Sequence, residues 1–187
     1  DHGRAACTVR KFACADEAHG RDYKRKDIGM RRIDRETGIG EALEIIRSAP
    51  YAVLSAVDAE GRPYSTPVSP VLVDGVLYFH SAAEDGARAR AIVMHPDVSL
   101  CFVARCEILV NRYTIDYASA IVRGICRRVD DADECRKALD AIAVHYDPNW
   151  DPRATKDYID GARQKVCVWR VDIAELSGKS RHPRHAS

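Results

Sequence analysis

The sequence predicts a mainly β domain, a curled antiparallel sheet with a few flanking helices. Three observations carry this. Asp74-Gly75 lies between two apolar runs and is the strongest short-range hairpin signal a sequence offers, and Glu60-Gly61 closes an acidic turn just upstream. The runs 51–57, 63–73 and 76–81 around these turns therefore read as consecutive antiparallel strands. The apolar residues of the first and third runs do not alternate cleanly with polar ones, the pattern of strands covered on both faces, so a barrel follows more naturally than an open sheet. At 187 residues the chain suits one domain that can bury a substantial core without metal or disulfides.

Taken in order, residues 1–29 are polar and charged without sustained periodicity and read as an N-terminal extension. Residues 40–48 carry Ala42, Leu43, Ile45 and Ile46 among charged positions, an amphipathic helix that Pro50 stops and that packs on the barrel. After the three strands, 84–94 should be helical, with Asp85 able to cap its start and Ala89, Ile92 and Val93 facing inward. His95-Pro96 ends it, with His95 as a cation near the helix C-terminus. Residues 97–104 form a strand, and 113–129 contain at least one more, where Gly124 marks a bulge or a close approach. Asp131 and Glu134 make a capping pair for the clearest helix of the chain, with Cys135, Ala138, Leu139, Ile142, Ala143 and Tyr146 at helical spacing. Its end, 145–152, is a Pro-bounded loop whose aromatics can wall a pocket or anchor the loop, and in which Asp147 and Asp151 read as turn formers. Residues 165–173 form a final strand containing Trp169, and 180–187 are a basic tail.

With 29 basic and 28 acidic residues the formal charge is +1, so no global field points to nucleic acid or a membrane surface. No run of about 18 apolar residues predicts a transmembrane helix, and the first thirty residues hold no signal-peptide core, so a cytoplasmic protein is expected. The seven cysteines include no CxxC, and Cys101, Cys106, Cys126 and Cys167 lie in apolar surroundings; reduced thiols and no metal site are expected. No P-loop, GxGxxG or G-x-S-x-G supports a nucleoside triphosphatase, dinucleotide-fold or hydrolase reading.

The distinctive polar residues cluster around the central strands. Ser65, Thr66 and Ser69 are hydroxyls in or beside one strand, His80 and Ser81 close the next, and Arg88 and Arg90 follow Asp85-Gly86 where a helix starts. Hydroxyls and arginine around a helix N-terminus make a phosphate site; equally, strand hydroxyls satisfy turn backbones and helix arginines face solvent.

The order of motifs, a G-R-P-Y strand, the D-G hairpin, a Y-F-H-S strand end, a G-A-R helix start and then H-P-D-V-S-L-C-F, resembles the pyridoxamine 5′-phosphate oxidase-like flavoproteins. More narrowly, it looks like the branch holding the 5-nitroimidazole reductase (nitroimidazole-resistance) proteins. The resemblance spans residues 30–179 and is strongest from 54 to 102. It implies an FMN-binding split β-barrel, a homodimer with flavin at the subunit interface, and an oxidoreductase that passes electrons from a reduced nicotinamide or similar donor to a small organic acceptor. Carried over residue by residue, it places Ser65, Thr66, Pro67, Val68, His80, Ser81, Arg88 and Lys179 at the cofactor and gives His80 a catalytic role. Relatives carry Lys at the Arg88 position; the loop before it is one residue longer here, which leaves Arg88 and Arg90 as alternative phosphate ligands. Related split barrels bind haem or a deazaflavin without known catalysis, with His80, His95 or His145 as axial-ligand candidates. Pyridoxamine phosphate oxidation itself stands last, because its substrate-phosphate signature is absent.

Overall fold

The computed structural model describes residues 32–82, 86–147, 149, 151, 161 and 165–181. The order is a 3-10 turn at Ile33–Arg35, then α1 (Ile39–Ser48), β1 (Ala52–Val57), β2 (Pro63–Val68), β3 (Val71–Val73), β4 (Val76–Ala82), α2 (Ala87–Met94), β5 (Asp97–Leu109), β6 (Thr114–Arg128), α3 (Ala132–Tyr146) and β7 (Val166–Arg181). The seven strands form one antiparallel sheet in the order β2-β1-β5-β6-β7-β4-β3. β2 and β3 are thus opposite edges, although only Ser69 and Pro70 separate them in sequence. A two-residue step between opposite edges is possible only if the sheet is rolled, and since β2 and β3 do not pair, the barrel remains open along this seam. Pro70 has no N–H to offer a ladder, which suits the break between the two strands.

The D-G turn forms as expected: Asp74 and Gly75 both have positive φ, 49° and 74°, and Val73 pairs with Val76. The expected 63–73 strand is two strands, because its first half pairs with β1 and its second with β4. The first strand alternates after all: Ala52, Leu54 and Ala56 are buried inside while Val53, Ser55 and Val57 face an outer surface that no helix covers among the described residues. β4 is buried on both faces, with Leu77 and Phe79 in the barrel interior and Val76 and Tyr78 under α3.

The interior holds Leu54, Leu77, Phe79, Leu100, Phe102, Val122 and Val171, all fully buried, with α1 contributing Ala42, Ile45 and Ile46. The end of α2 differs from expectation. It buries Ala91 and Ile92, while Val93 is 76% exposed, so the room left beside β1 and β2, rather than hydropathy, chose the helix face. The helix begins at Ala87 with Gly86 as N-cap; Asp85, read as its cap, lies outside the described residues.

Gly124 is both a bulge and a close approach. The β6–β7 register shifts between Arg123 and Gly124, and a Cβ at Gly124 would stand 2.2 Å from the Asp172 carbonyl oxygen. β5 runs five residues beyond the expected Ala104, through a second bulge between Val103 and Arg105, into a hairpin with β6. Its tip uses positive φ at Asn111 and Tyr113 without any glycine, so Asn111 is its one turn-forming signal and it carries no Asn-Gly or Asp-Gly pair. β7 likewise continues to Arg181, and the Gly178-Lys179 segment is strand: Gly178 packs on Thr37 and Ala42, where a Cβ would lie 2.1 and 2.9 Å from their nearest atoms.

At the start of α3, Asp131 caps as expected, its Oδ1 accepting from the N–H groups of Asp133 and Glu134 at 3.1 and 2.8 Å. Glu134 does not complete a reciprocal box. Its Oε1 accepts from the Tyr78 hydroxyl at 2.7 Å and from Arg170 Nη1 at 2.6 Å, and Arg170 continues to Asp172 at 2.6 Å, which also pairs with Arg127. Burial and the Glu134 carboxylate push the Tyr78 phenol up to about 12, so it stays a donor. This clasp fixes α3 on the outer face of β4 and β7.

Candidate functional site

The site is built at the seam. Val71 stands opposite Tyr78, so tracing β3 backward and β4 forward brings the Val68 end of β2 beside the His80 end of β4. α2 follows β4 and packs across this opening against β1, β2 and β6. The ladder of α2 starts with Arg90 N–H to Gly86 C=O at 3.1 Å, and Gly86 brings no side-chain cap, so the N–H groups of residues 87–89 have no intrahelical acceptor. This is the positive end of the helix dipole.

Arg88, in the first turn, is half-buried, with its Cζ 5.8 Å from the centroid of the Phe79 ring. Among the described residues no carboxylate forms an ion pair with it. Its charge reaches the next residue of β4: His80 keeps its ring accessible, and burial, then Arg88, hold its pKa below the ordinary histidine value. His80 is therefore a neutral imidazole at pH 7, able to donate one hydrogen bond and accept one. Arg90 is exposed on the helix surface. A helix start with glycine as N-cap, an arginine without a carboxylate among the described residues and a neutral histidine together fit a phosphate-bearing group.

The other expected residues divide. Thr66 points toward the interior side of β2, opposite Leu54, and makes only a long hydrogen bond, 3.5 Å, to the Pro67 carbonyl; Val68 is buried in the core. Ser65 and Pro67 face outward, and Ser65 Oγ lies 3.1 Å from Ser55 Oγ. Ser81 points away from His80 into the barrel, where its hydroxyl donates to the Ala82 carbonyl at 3.1 Å and accepts from Trp169 Nε1 at 2.9 Å. Lys179 is on β7 opposite Ser119, whereas His80 meets β7 at Val168. Eleven residues of strand, about 36 Å of contour, separate those positions, so one chain does not bring Lys179 to His80.

Two further features escaped the sequence. One is Phe79 as the surface against Arg88; an aromatic in a buried strand reads as core and nothing more. The other is a row across five adjacent strands, Ser65, Ser55, Ser99, Arg123 and Glu175, on the outer face. Ser55, Ser99, Arg123 and Glu175 line a cleft of about 480 Å³, flanked by exposed Val57 and Ile125. Val103 and Ile121 extend this apolar surface along β5 and β6. At the far end of α3, Tyr146 anchors the loop: its hydroxyl donates to the Pro70 carbonyl at 3.3 Å and its ring meets His145 edge-on at 4.6 Å. Trp150, the other aromatic of that loop, lies outside the described residues.

An open antiparallel barrel with a helix start across its seam defines a split β-barrel protein. The family model described as pyridoxamine 5′-phosphate oxidase matches residues 39–180, and the chain belongs to that family. Within it, the chain is similar to a candidate 5-nitroimidazole antibiotic resistance protein from Bacteroides thetaiotaomicron: 28% identity, 76% of this chain and 83% of that one, TM-score 0.66. This agrees with the nitroimidazole-resistance branch read from the motifs. A conserved hypothetical protein from Mycobacterium tuberculosis shares the fold at TM-score 0.68, with 16% identity over 83% of this chain and 95% of that chain. So does an FAD and haem binding protein from Mycobacterium smegmatis, at TM-score 0.64 with 17% identity over 79% and 74%. No protein with a curated description matches the sequence.

Proposed function

We propose that this chain is an FMN-dependent oxidoreductase that passes electrons from a reduced nicotinamide or similar donor to a small organic acceptor, as 5-nitroimidazole reductases do. The observation that carries the reading is Arg88, half-buried in the first turn of a helix whose N-cap is Gly86, without a carboxylate partner among the described residues and beside a neutral His80. Arg88 and the N–H groups of residues 87–89 would hold the phosphate. Thr66 and the backbone at Pro67 and Val68 line the same seam and would bound the ring system. His80 would donate to a phosphate or flavin oxygen, or hand a proton to the acceptor. Bound flavin supplies the electron chemistry; the chain supplies orientation and electrostatics.

The reading includes a homodimer working in the cytoplasm, where the five described cysteines remain free thiols. The outer face that the described residues leave uncovered, with exposed Val57, Val103, Ile121 and Ile125, supports a second copy there, and Lys179 lies on that same face. Lys179 of a second copy could then approach a cofactor that its own chain leaves out of reach.

The test is the absorbance spectrum and native mass of the purified full chain. Flavin bands at roughly 370 and 450 nm, with one FMN mass per subunit of a dimer, are expected. An intense Soret band favours haem, and a colourless protein that takes up no added FMN overturns the reading.

A further inference from the structure

We propose that Phe79 is a positioning residue for Arg88: its ring seats the guanidinium over the seam, so that a phosphate meets a cation whose orientation is set before binding. The inference rests on the reading of Arg88 as the phosphate ligand. The Arg88 Cζ stands 5.8 Å from the Phe79 ring centroid, inside the range of about 6 Å over which a ring face attracts a cation. The ring cannot turn away. Phe79 is fully buried, opposite Trp169 in the β4–β7 register and packed into the barrel core.

The chemistry of this chain's arginine fits such a seat. A guanidinium is planar, so it rests on an aromatic face while its N–H fork points outward in its own plane, ready for two phosphate oxygens. A lysine ammonium would meet the phosphate as a point charge and draw less from the ring. No described carboxylate competes for Arg88. The Cys126 thiol, within reach of the same charge from β6, is pushed up to about 12 by burial and stays uncharged. Successive residues of β4 thus divide the work: His80 is open to the ligand, and Phe79 holds the arginine that meets it.

The experiment places progressively fluorinated phenylalanines at position 79 of the full chain, which withdraws electron density from the ring face with little change of shape. FMN and riboflavin are titrated by flavin fluorescence. FMN affinity is expected to fall stepwise, about two- to fivefold by full fluorination, while riboflavin, which lacks the phosphate, binds unchanged. Phe79→Leu should shift FMN in the same direction, and the fluorine response should vanish in an Arg88→Ala background. A flat FMN response, an equal response for riboflavin, or one that persists without Arg88 overturns the seat. Arg88→Ala binding FMN as tightly as the wild type overturns the phosphate reading and the seat with it; weakened Arg88→Ala beside a flat fluorine series overturns the seat alone.

Discussion

The Trp169 indole N–H donates to Ser81 Oγ at 2.9 Å across the β4–β7 ladder, inside the barrel and two residues along β4 from Phe79. A hydroxyl that the resemblance places beside a cofactor is engaged in a core hydrogen bond. Ser81→Ala should therefore lower stability by about 1–3 kcal/mol, the cost of leaving a buried indole N–H unsatisfied. Urea unfolding reads the loss, and FMN affinity should change far less than in Arg88→Ala. A large loss of FMN with wild-type stability would return Ser81 to the site.

Gly124 tests the barrel's tightest backbone approach. Its missing Cβ leaves room for the Asp172 carbonyl, and backbone cannot swing aside as a side chain can. Gly124→Ala should cost about 1–3 kcal/mol of strain, read as a lower urea midpoint. Gly38→Ala is the comparison, with nothing within 4 Å of its added Cβ. Equal midpoints for the two variants would show that the β6–β7 bulge gives way freely.

His80 sets a pH dependence. Its folded pKa is depressed, by burial first and Arg88 second, so the folded state favours the neutral ring. That contribution to stability is fully present above the unfolded value of about 6.5 and is lost as pH falls through the folded value. His145, also lowered by burial, acts in the same window, so the readout is the difference between wild type and His80→Gln. Unfolding followed from pH 8 to acid (~pH 5) should show wild type losing stability below about 6.5 more steeply than His80→Gln. Bound FMN should raise the His80 pKa, because a phosphate favours the imidazolium. An imidazole NMR titration indifferent to FMN would place the phosphate elsewhere.

The outer face that the described residues leave uncovered predicts an assembly. Ile121 is 43% exposed at the middle of that face, so Ile121→Glu should leave the monomer's stability within about 0.5 kcal/mol. A buried charge at a subunit contact is unfavourable, and light scattering should report a shift from dimer to monomer with loss of FMN. Wild type that scatters as a monomer while holding flavin would sink the dimer.

The existence of most strands, the Asp74-Gly75 hairpin, the Asp131 cap and the exception at Gly124 were legible in the residues because each depends on local physics: side-chain size, φ preference and short-range hydrogen bonding. His80 and the arginines of α2 were legible as candidates through the strand end and helix start that carry them, and the structure sets Arg88 half-buried and Arg90 exposed. The face of α2 was not: hydropathy favours Val93, while the space beside β1 and β2 admits Ala91 and Ile92. Nor could spacing show that 63–73 divides between opposite edges of one sheet, since that follows from which strands pair, a non-local choice. Glu134 looked like half of a capping box until Tyr78 and Arg170, distant in sequence, offered it stronger partners. By itself the sequence determined most of the elements and which polar residues stand at their ends. Tertiary structure alone decided the inward turn of Ser81, the distance of Lys179 from His80 and the ring beneath Arg88, because register and the rolling of the sheet fix which side of a strand meets the seam.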